Sequence, residues 1–194
     1  MDAEIIDFDT LKLKITNAFA EVDYPGDDKI AIKQWYLTDE NLDGYVGRQR
    51  ENVTVDFIND GHRVCTTFMT NEAFHYYLPA FLILCAEYAY DMDVFSDRII
   101  GTLSPSVQDD YLKLVDCLEE LGLTLENAGI FPSNEEELEV AQREFLSLIQ
   151  CLTKPQREAV YLFLVYYEHK YQDRNARDAL SRFWNDFKDH NFQL

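Results

Sequence analysis

The chain contains little glycine and proline, and this scarcity bears on its fold class. It has 7 Gly and 5 Pro among 194 residues, whereas sandwiches and barrels require frequent turns. Hydrophobic residues make up 47% and aromatic residues 14%, which suffices for a sizeable core and argues against a disordered chain. We therefore expect an all-α fold, a single compact multi-helix domain over residues 1–194 with a loop near 123–132.

Basic residues are also scarce. The chain has 17 Lys and Arg against 36 Asp and Glu, a formal net charge of -19. Such a charge repels the phosphates of nucleic acids and the surface of anionic membranes, so direct binding to either is not expected. It would accelerate encounter with a basic protein. The alternative interpretation is that the charge serves solubility alone.

Closely spaced cysteines are absent, and no signal peptide is expected. The start of the chain, residues 1–4, lacks the basic region of a signal peptide. The longest uncharged apolar run, residues 73–86, is too short to span a bilayer and predicts a buried core helix. The four cysteines are far apart in sequence and predict reduced, buried side chains in a cytoplasmic protein. They are Cys65, Cys85, Cys117 and Cys151.

Apolar residues recur at three- and four-residue steps along most of the chain, which is the helical period. Thr70 is a predicted N-cap, and Thr153 with Gln156 forms a predicted capping box, as does Ser133 with Glu136. The predicted helices cover residues 8–22, 70–90, 94–103, 107–121, 133–151, 153–171 and 176–187.

Residues 53–68 allow two interpretations. Apolar residues alternate over 53–57, and 59–61 reads Asn-Asp-Gly, so a β-hairpin could continue into 63–68. Alternatively, Thr54 caps a helix that buries Phe57. Local sequence slightly favours the hairpin, and one short hairpin in the N-terminal half remains open.

Residues 39–46 copy the first eight positions of a calcium-binding EF-hand loop. The twelfth position, where a bidentate Glu is needed, is Arg50, and Glu51 lies one residue late. The other interpretation is an acidic helix or turn that ends at Gly44 or Gly47. We expect no metal and no cofactor.

No complete catalytic motif is present, and no enzyme is expected. The sequence contains no nucleophile elbow, phosphate-binding loop or dinucleotide-binding motif. Among the four histidines only His75, between Phe74 and Tyr76, is a candidate acid or base. A hydrogen-bonded structural histidine at the edge of the core is the preferred interpretation, and an uncharacterised enzyme using His75 is the alternative.

Three stretches, residues 18–28, 69–81 and 152–164, resemble an uncharacterised bacterial family known only as a domain of unknown function. The shared motifs are a Tyr-Pro-Gly-Asp turn, a Phe-x-Tyr-Tyr-Leu-Pro helix and a Thr-x-x-Gln-Arg helix, and the likeness covers most of residues 11–170. Residues 47–50 depart from the family's Gly-Lys-x-Trp segment, and Asn71 replaces its Pro. The motif residues of unknown role are Tyr24, Pro25, Gly26, His75, Tyr76, Tyr77 and Pro79.

The resemblance implies an α-helical domain, and it favours helix both for residues 53–68 and for the segment around Asp39. It supplies no activity, because none is assigned to the family.

The sequence best supports a cytoplasmic immunity protein that neutralises a basic toxin domain, a nuclease, by blocking its active site. The alternatives are a nucleic-acid mimic that inhibits a DNA-binding or defence protein, the enzyme using His75, and a calcium-modulated module. The candidate partner-binding surface is formed by Asp27, Asp28, Asp39, Glu40 and Asp43, or by the acidic face of Asp91, Asp93 and Asp97.

Overall fold

The computed structural model describes residues 6–31, 44–62, 69–107 and 135–186. These residues form seven α-helices and no sheet. The helices are α1 Phe8–Ala18, α2 Val55–Phe57, α3 Asn71–Glu87, α4 Asp93–Thr102, α5 Glu135–Cys151, α6 Lys154–Tyr171 and α7 Arg174–Ala179. Single π-helical turns extend α2 over Ile58–His62 and α7 over Leu180–Trp184, and 3₁₀ turns lie at Asp27–Lys29 and Arg50–Asn52.

Helix α3 is the centre of the core and contacts α1, α4, α5 and α6. Most of its side chains are buried, as its long apolar run predicts. Thr70 caps the helix, because its Oγ1 accepts a hydrogen bond from Ala73 N at 3.1 Å. Tyr88 leaves the helical region, so α3 ends at Glu87, three residues before the predicted end.

Helix α1 packs against α3 and α6. Leu11, Ile15 and Phe19 are fully buried, so apolar residues at four-residue steps form the buried face of α1. The helix ends at Ala18 and not at residue 22. At its start, Asp7 accepts hydrogen bonds from the backbone and hydroxyl of Thr10, and these bonds lower the pKa of the Asp7 carboxyl.

Helix α6 follows its predicted capping box, whereas α7 begins at Arg174, two residues before the predicted start. Thr153 and Gln156 form the expected capping box at the start of α6. Gln172, at φ 54°, ends α6 in the left-handed conformation. Helix α7 packs on α4 and α6. Beyond it, the fully buried Trp184 donates a hydrogen bond from Nε1 to the carbonyl oxygen of Leu103 at 2.7 Å.

The hairpin interpretation is wrong for residues 55–62, which are helical. Thr54 is the N-cap, and its Oγ1 accepts a hydrogen bond from Phe57 N at 3.2 Å. Val53 and Phe57, both buried, lie four residues apart, so their spacing fits a helical period as well as a strand period. The favoured second strand, residues 63–68, lies outside the described residues.

Cys85 is buried as predicted, but Cys151 is exposed, and the prediction for it is wrong. Helix α5 buries Phe145, Leu148 and Ile149. Cys151 lies on the solvent-facing side of the helix, where its Sγ donates a hydrogen bond to the carbonyl oxygen of Ser147 at 3.3 Å.

Several predicted features lie outside the described residues. They are Cys65, Cys117, Asp39, Glu40, Asp43, Ser133, the loop near 123–132 and the predicted helix over 107–121 apart from its first residue. In the ranges that are described, no helix is long and apolar enough to cross a bilayer. The predicted all-α, compact multi-helix architecture is confirmed for these ranges.

Candidate functional site

The Tyr-Pro-Gly-Asp turn closes onto a distant loop. Tyr24 donates a hydrogen bond from its hydroxyl to Asp27 Oδ1 at 2.6 Å. The backbone N–H of Gly47 reaches both of these oxygens at 2.9 Å. Gly26 permits this turn, since its φ of +99° disfavours other residues and a Cβ would lie 3.1 Å from Asp28 Oδ1.

The same loop is fastened to the first half of α3 by two neighbouring tyrosines. The buried hydroxyl of Tyr77 is hydrogen-bonded to the carbonyl oxygens of Arg48, at 2.7 Å, and Tyr45, at 3.0 Å. Tyr76 donates to Gln49 Oε1 at 2.9 Å. These contacts order residues 45–49 along α3 although they contain no regular helix.

We call Tyr24, Asp27, Gly47, Tyr76 and Tyr77 the tyrosine clamp. The rings of Tyr24 and Tyr76 meet edge to face at 5.4 Å between centroids, so the Tyr-Pro-Gly-Asp turn directly contacts the Tyr-Tyr-Leu-Pro segment of α3. The polar atoms of the clamp form hydrogen bonds with one another, with backbone groups and with the side chain of Gln49. These contacts give the five residues a structural role, since they connect the turn, the loop and α3.

His75 also has a structural partner. Its Nε2 lies 3.0 Å from Gln156 Oε1, which accepts a second hydrogen bond from Thr153 N at 2.8 Å. Because Gln156 Oε1 only accepts, His75 Nε2 must donate. The ring also meets Phe19 edge to face at 5.7 Å. His75 thereby joins α3 to the capping box of α6, the role preferred from sequence.

Burial raises the pKa of one thiol and of several phenol groups above their usual values. It raises the pKa of the Cys85 thiol to about 12, and it raises the pKa of the Tyr77 and Tyr167 phenols. Burial, followed by the hydrogen bond to Asp27, raises the pKa of Tyr24. The folded protein therefore holds these protons more tightly than the unfolded chain does.

Stability is expected to fall steadily in alkali. The raised pKa values stabilise the fold fully below about pH 9, and this contribution is lost as the pH rises through the unfolded and then the folded pKa values. Urea midpoints measured in steps from neutral pH to about pH 11 should decline above pH 9. Cys85→Ala should reduce the decline, and a midpoint that stays constant would contradict the assignment.

The two acidic surfaces that the sequence offers as alternatives for partner binding lie apart in the structure. Asp27 and Asp28 belong to the turn after α1, and Asp27 is engaged by the clamp. Asp91 lies beyond the other end of α3, roughly 15 Å or more away along the helix axis. Asp97 is exposed on α4 and accepts a hydrogen bond from Asn175 at 3.0 Å. The side chain of Asp93 lies outside the described part.

The connection between α3 and α4 is acidic and aromatic. Tyr88 is 39% exposed, Tyr90 is 90% exposed and Val94 is 60% exposed. Glu87 and Asp91 are exposed beside them, and their negative charges raise the pKa of the Tyr88 phenol, Glu87 most of all. We call residues 87–94 the acidic-aromatic corner.

Sequence reasoning selected Asp91 but missed the tyrosines of this corner. The available signal was the sequence Glu-Tyr-Ala-Tyr-Asp directly after the long apolar run, because it places two tyrosines between two acidic residues. Across the described ranges, no group of His, Cys, Asp and Glu side chains is arranged to hold a metal ion.

Comparisons with known proteins give no relative on which to base a function. No protein-family model matches the chain, and neither does any curated protein or any solved structure.

Proposed function

We propose that the protein is an acidic binding module, most concretely an immunity protein that covers the active site of a basic bacterial toxin domain, a nuclease. The observation that supports this proposal is the acidic-aromatic corner on a chain of net charge -19. Tyrosines are enriched among the residues that contribute most to protein interfaces. Surrounding carboxylates complement a surface built to hold phosphates.

The mechanism follows from the substrate of a nuclease. Such an enzyme holds the phosphates of its substrate with Lys and Arg side chains. The carboxylates of Glu87 and Asp91 would bind these cations, while Tyr88 and Tyr90 would supply the apolar contact that excludes water. Association would be fast and would weaken with salt, because long-range attraction steers the encounter.

The test is affinity capture from the native lysate with the tagged protein, washed at low and then at high salt. We expect a stoichiometric basic partner that salt releases and whose nuclease activity the purified protein inhibits. An unrelated protein of similar negative charge is the control. Failure to retain a basic partner would contradict the proposal. A captured DNA-binding protein without nuclease activity would support the nucleic-acid mimic instead.

A further inference from the structure

A groove of about 780 Å³ lies between α1, residues 50–59 and the C-terminal half of α3. One face of α3 lines it, with Ala80, Ile83, Leu84 and Glu87 at the i, i+3, i+4, i+7 spacing. Ala80 and Ile83 are only partly buried, although they lie on the most apolar helix of the core. The groove therefore offers an apolar floor that reaches solvent.

Charged side chains surround this floor. The groove is lined by four carboxylates and two cations, namely Glu51, Asp56, Glu87, Asp91, Lys12 and Arg50. One cation is already engaged, because Arg50 Nε lies 3.1 Å from Glu51 Oε1 and Arg50 Nη1 lies 3.3 Å from the carbonyl oxygen of Val22. Three carboxylates then remain against Lys12.

The acidic-aromatic corner closes one end of the groove, since Tyr88 and Asp91 belong to both. An exposed tyrosine between carboxylates suits a guanidinium group, which binds a carboxylate in the plane of its nitrogens and stacks on an aromatic face. Polyanions and acidic peptides would meet repulsion at this rim.

We propose that this groove binds a basic, amphipathic segment of a partner protein. Apolar side chains of the segment contact Ala80 and Ile83, and its arginines meet Asp56, Glu87 and Asp91. This is recognition of a helix in a groove, with charge complementarity setting the orientation. The inference rests on the proposed function and names the surface and the partner chemistry that serve it.

The test uses a fluorescein-labelled peptide of about four helical turns, with Leu on one face of the helix and Arg on the other. Its binding to the protein is measured by fluorescence anisotropy. A scrambled peptide of equal composition tests the need for an apolar face. The groove variant is Glu87→Lys with Asp91→Lys. The matched control is Glu139→Lys with Glu158→Lys, which changes the net charge equally at exposed positions outside the groove.

We expect the groove variant to bind the peptide about a hundredfold more weakly than the wild type, because two close charge pairs become repulsive. The affinity of the control variant for the peptide should fall by about threefold, because only the long-range attraction is weakened. The scrambled peptide should bind the wild type at least about tenfold more weakly. Thermal unfolding followed by circular dichroism confirms that both variants fold, as is expected of exposed positions.

Equal losses for the two variants, or equal binding of the two peptides, would overturn the groove proposal. So would a wild type that binds neither peptide. The captured partner separates this failure from that of the proposed function. A basic partner neutralised equally well by the wild type and the groove variant would refute the groove and the role given to Glu87 and Asp91, and would leave the immunity function standing on another surface.

Discussion

Replacing Trp184 by alanine is expected to lower the free energy of unfolding by about 4 kcal/mol. The indole is fully buried after α7, and its ring meets Phe183 edge to face at 5.4 Å between centroids. Its Nε1 donates a hydrogen bond to the carbonyl oxygen of Leu103, the C-cap residue of α4. The substitution therefore leaves a large cavity and an unpaired buried carbonyl in the same place.

Urea unfolding monitored by circular dichroism measures this loss. Tyr90→Ala is the matched control, because it removes an aromatic ring that is 90% exposed and should change stability by less than about 0.5 kcal/mol. Trp184→Phe should fall between the two, since it retains most of the volume and loses the hydrogen bond. A loss below about 1 kcal/mol for Trp184→Ala would show that residues 180–184 do not dock as described.

Replacing Tyr77 by alanine is expected to lower the free energy of unfolding by a similar amount, about 4 kcal/mol, because it removes a buried ring of the tyrosine clamp. The ring is fully buried and meets Tyr45 edge to face at 5.0 Å. Its hydroxyl is the contact that fastens the loop, with the Arg48 carbonyl at 2.7 Å. The Tyr45 carbonyl also accepts from the N–H of Arg48, so the Arg48 carbonyl is the group that loses most.

Tyr77→Phe separates the two contributions. It keeps the ring and removes the hydroxyl, so we expect a loss of about 1.5 kcal/mol, within the range for an unsatisfied buried acceptor. Tyr90→Phe should have almost no effect. Amide hydrogen exchange adds a local measurement, because the N–H of Gly47 should lose protection in Tyr77→Phe before the helices do. An unchanged exchange rate at Gly47 would contradict the structural role given to the tyrosine clamp.

The caps explain why most helix bounds were predictable. The hydroxyl of Thr70 and the pairing of Thr153 with Gln156 are local signals, and local signals are what a sequence records directly. Residues 55–62 were harder, because the apolar spacing from Val53 to Phe57 fits two periods. There, the alternative interpretation, in which Thr54 caps a helix, is confirmed for residues 55–62.

The sites were less predictable, because they are assembled from distant segments. Nothing near Gly47 indicates that its N–H meets Tyr24 and Asp27, which lie 20 or more residues earlier. The groove likewise combines side chains from α1, the 50–59 segment and α3. Their proximity follows from helix packing, which the sequence pattern of any one segment does not contain.

The packing of α1 against α6 has a consequence for synthesis in the cell. The two helices lie about 150 residues apart in the chain. At the usual rate of translation, α6 is made roughly ten to thirty seconds after α1. During that interval Leu11, Ile15 and Phe19 can meet only part of their final neighbours. This apolar stripe is therefore expected to stay partly exposed in the nascent chain until α6 has emerged from the ribosome.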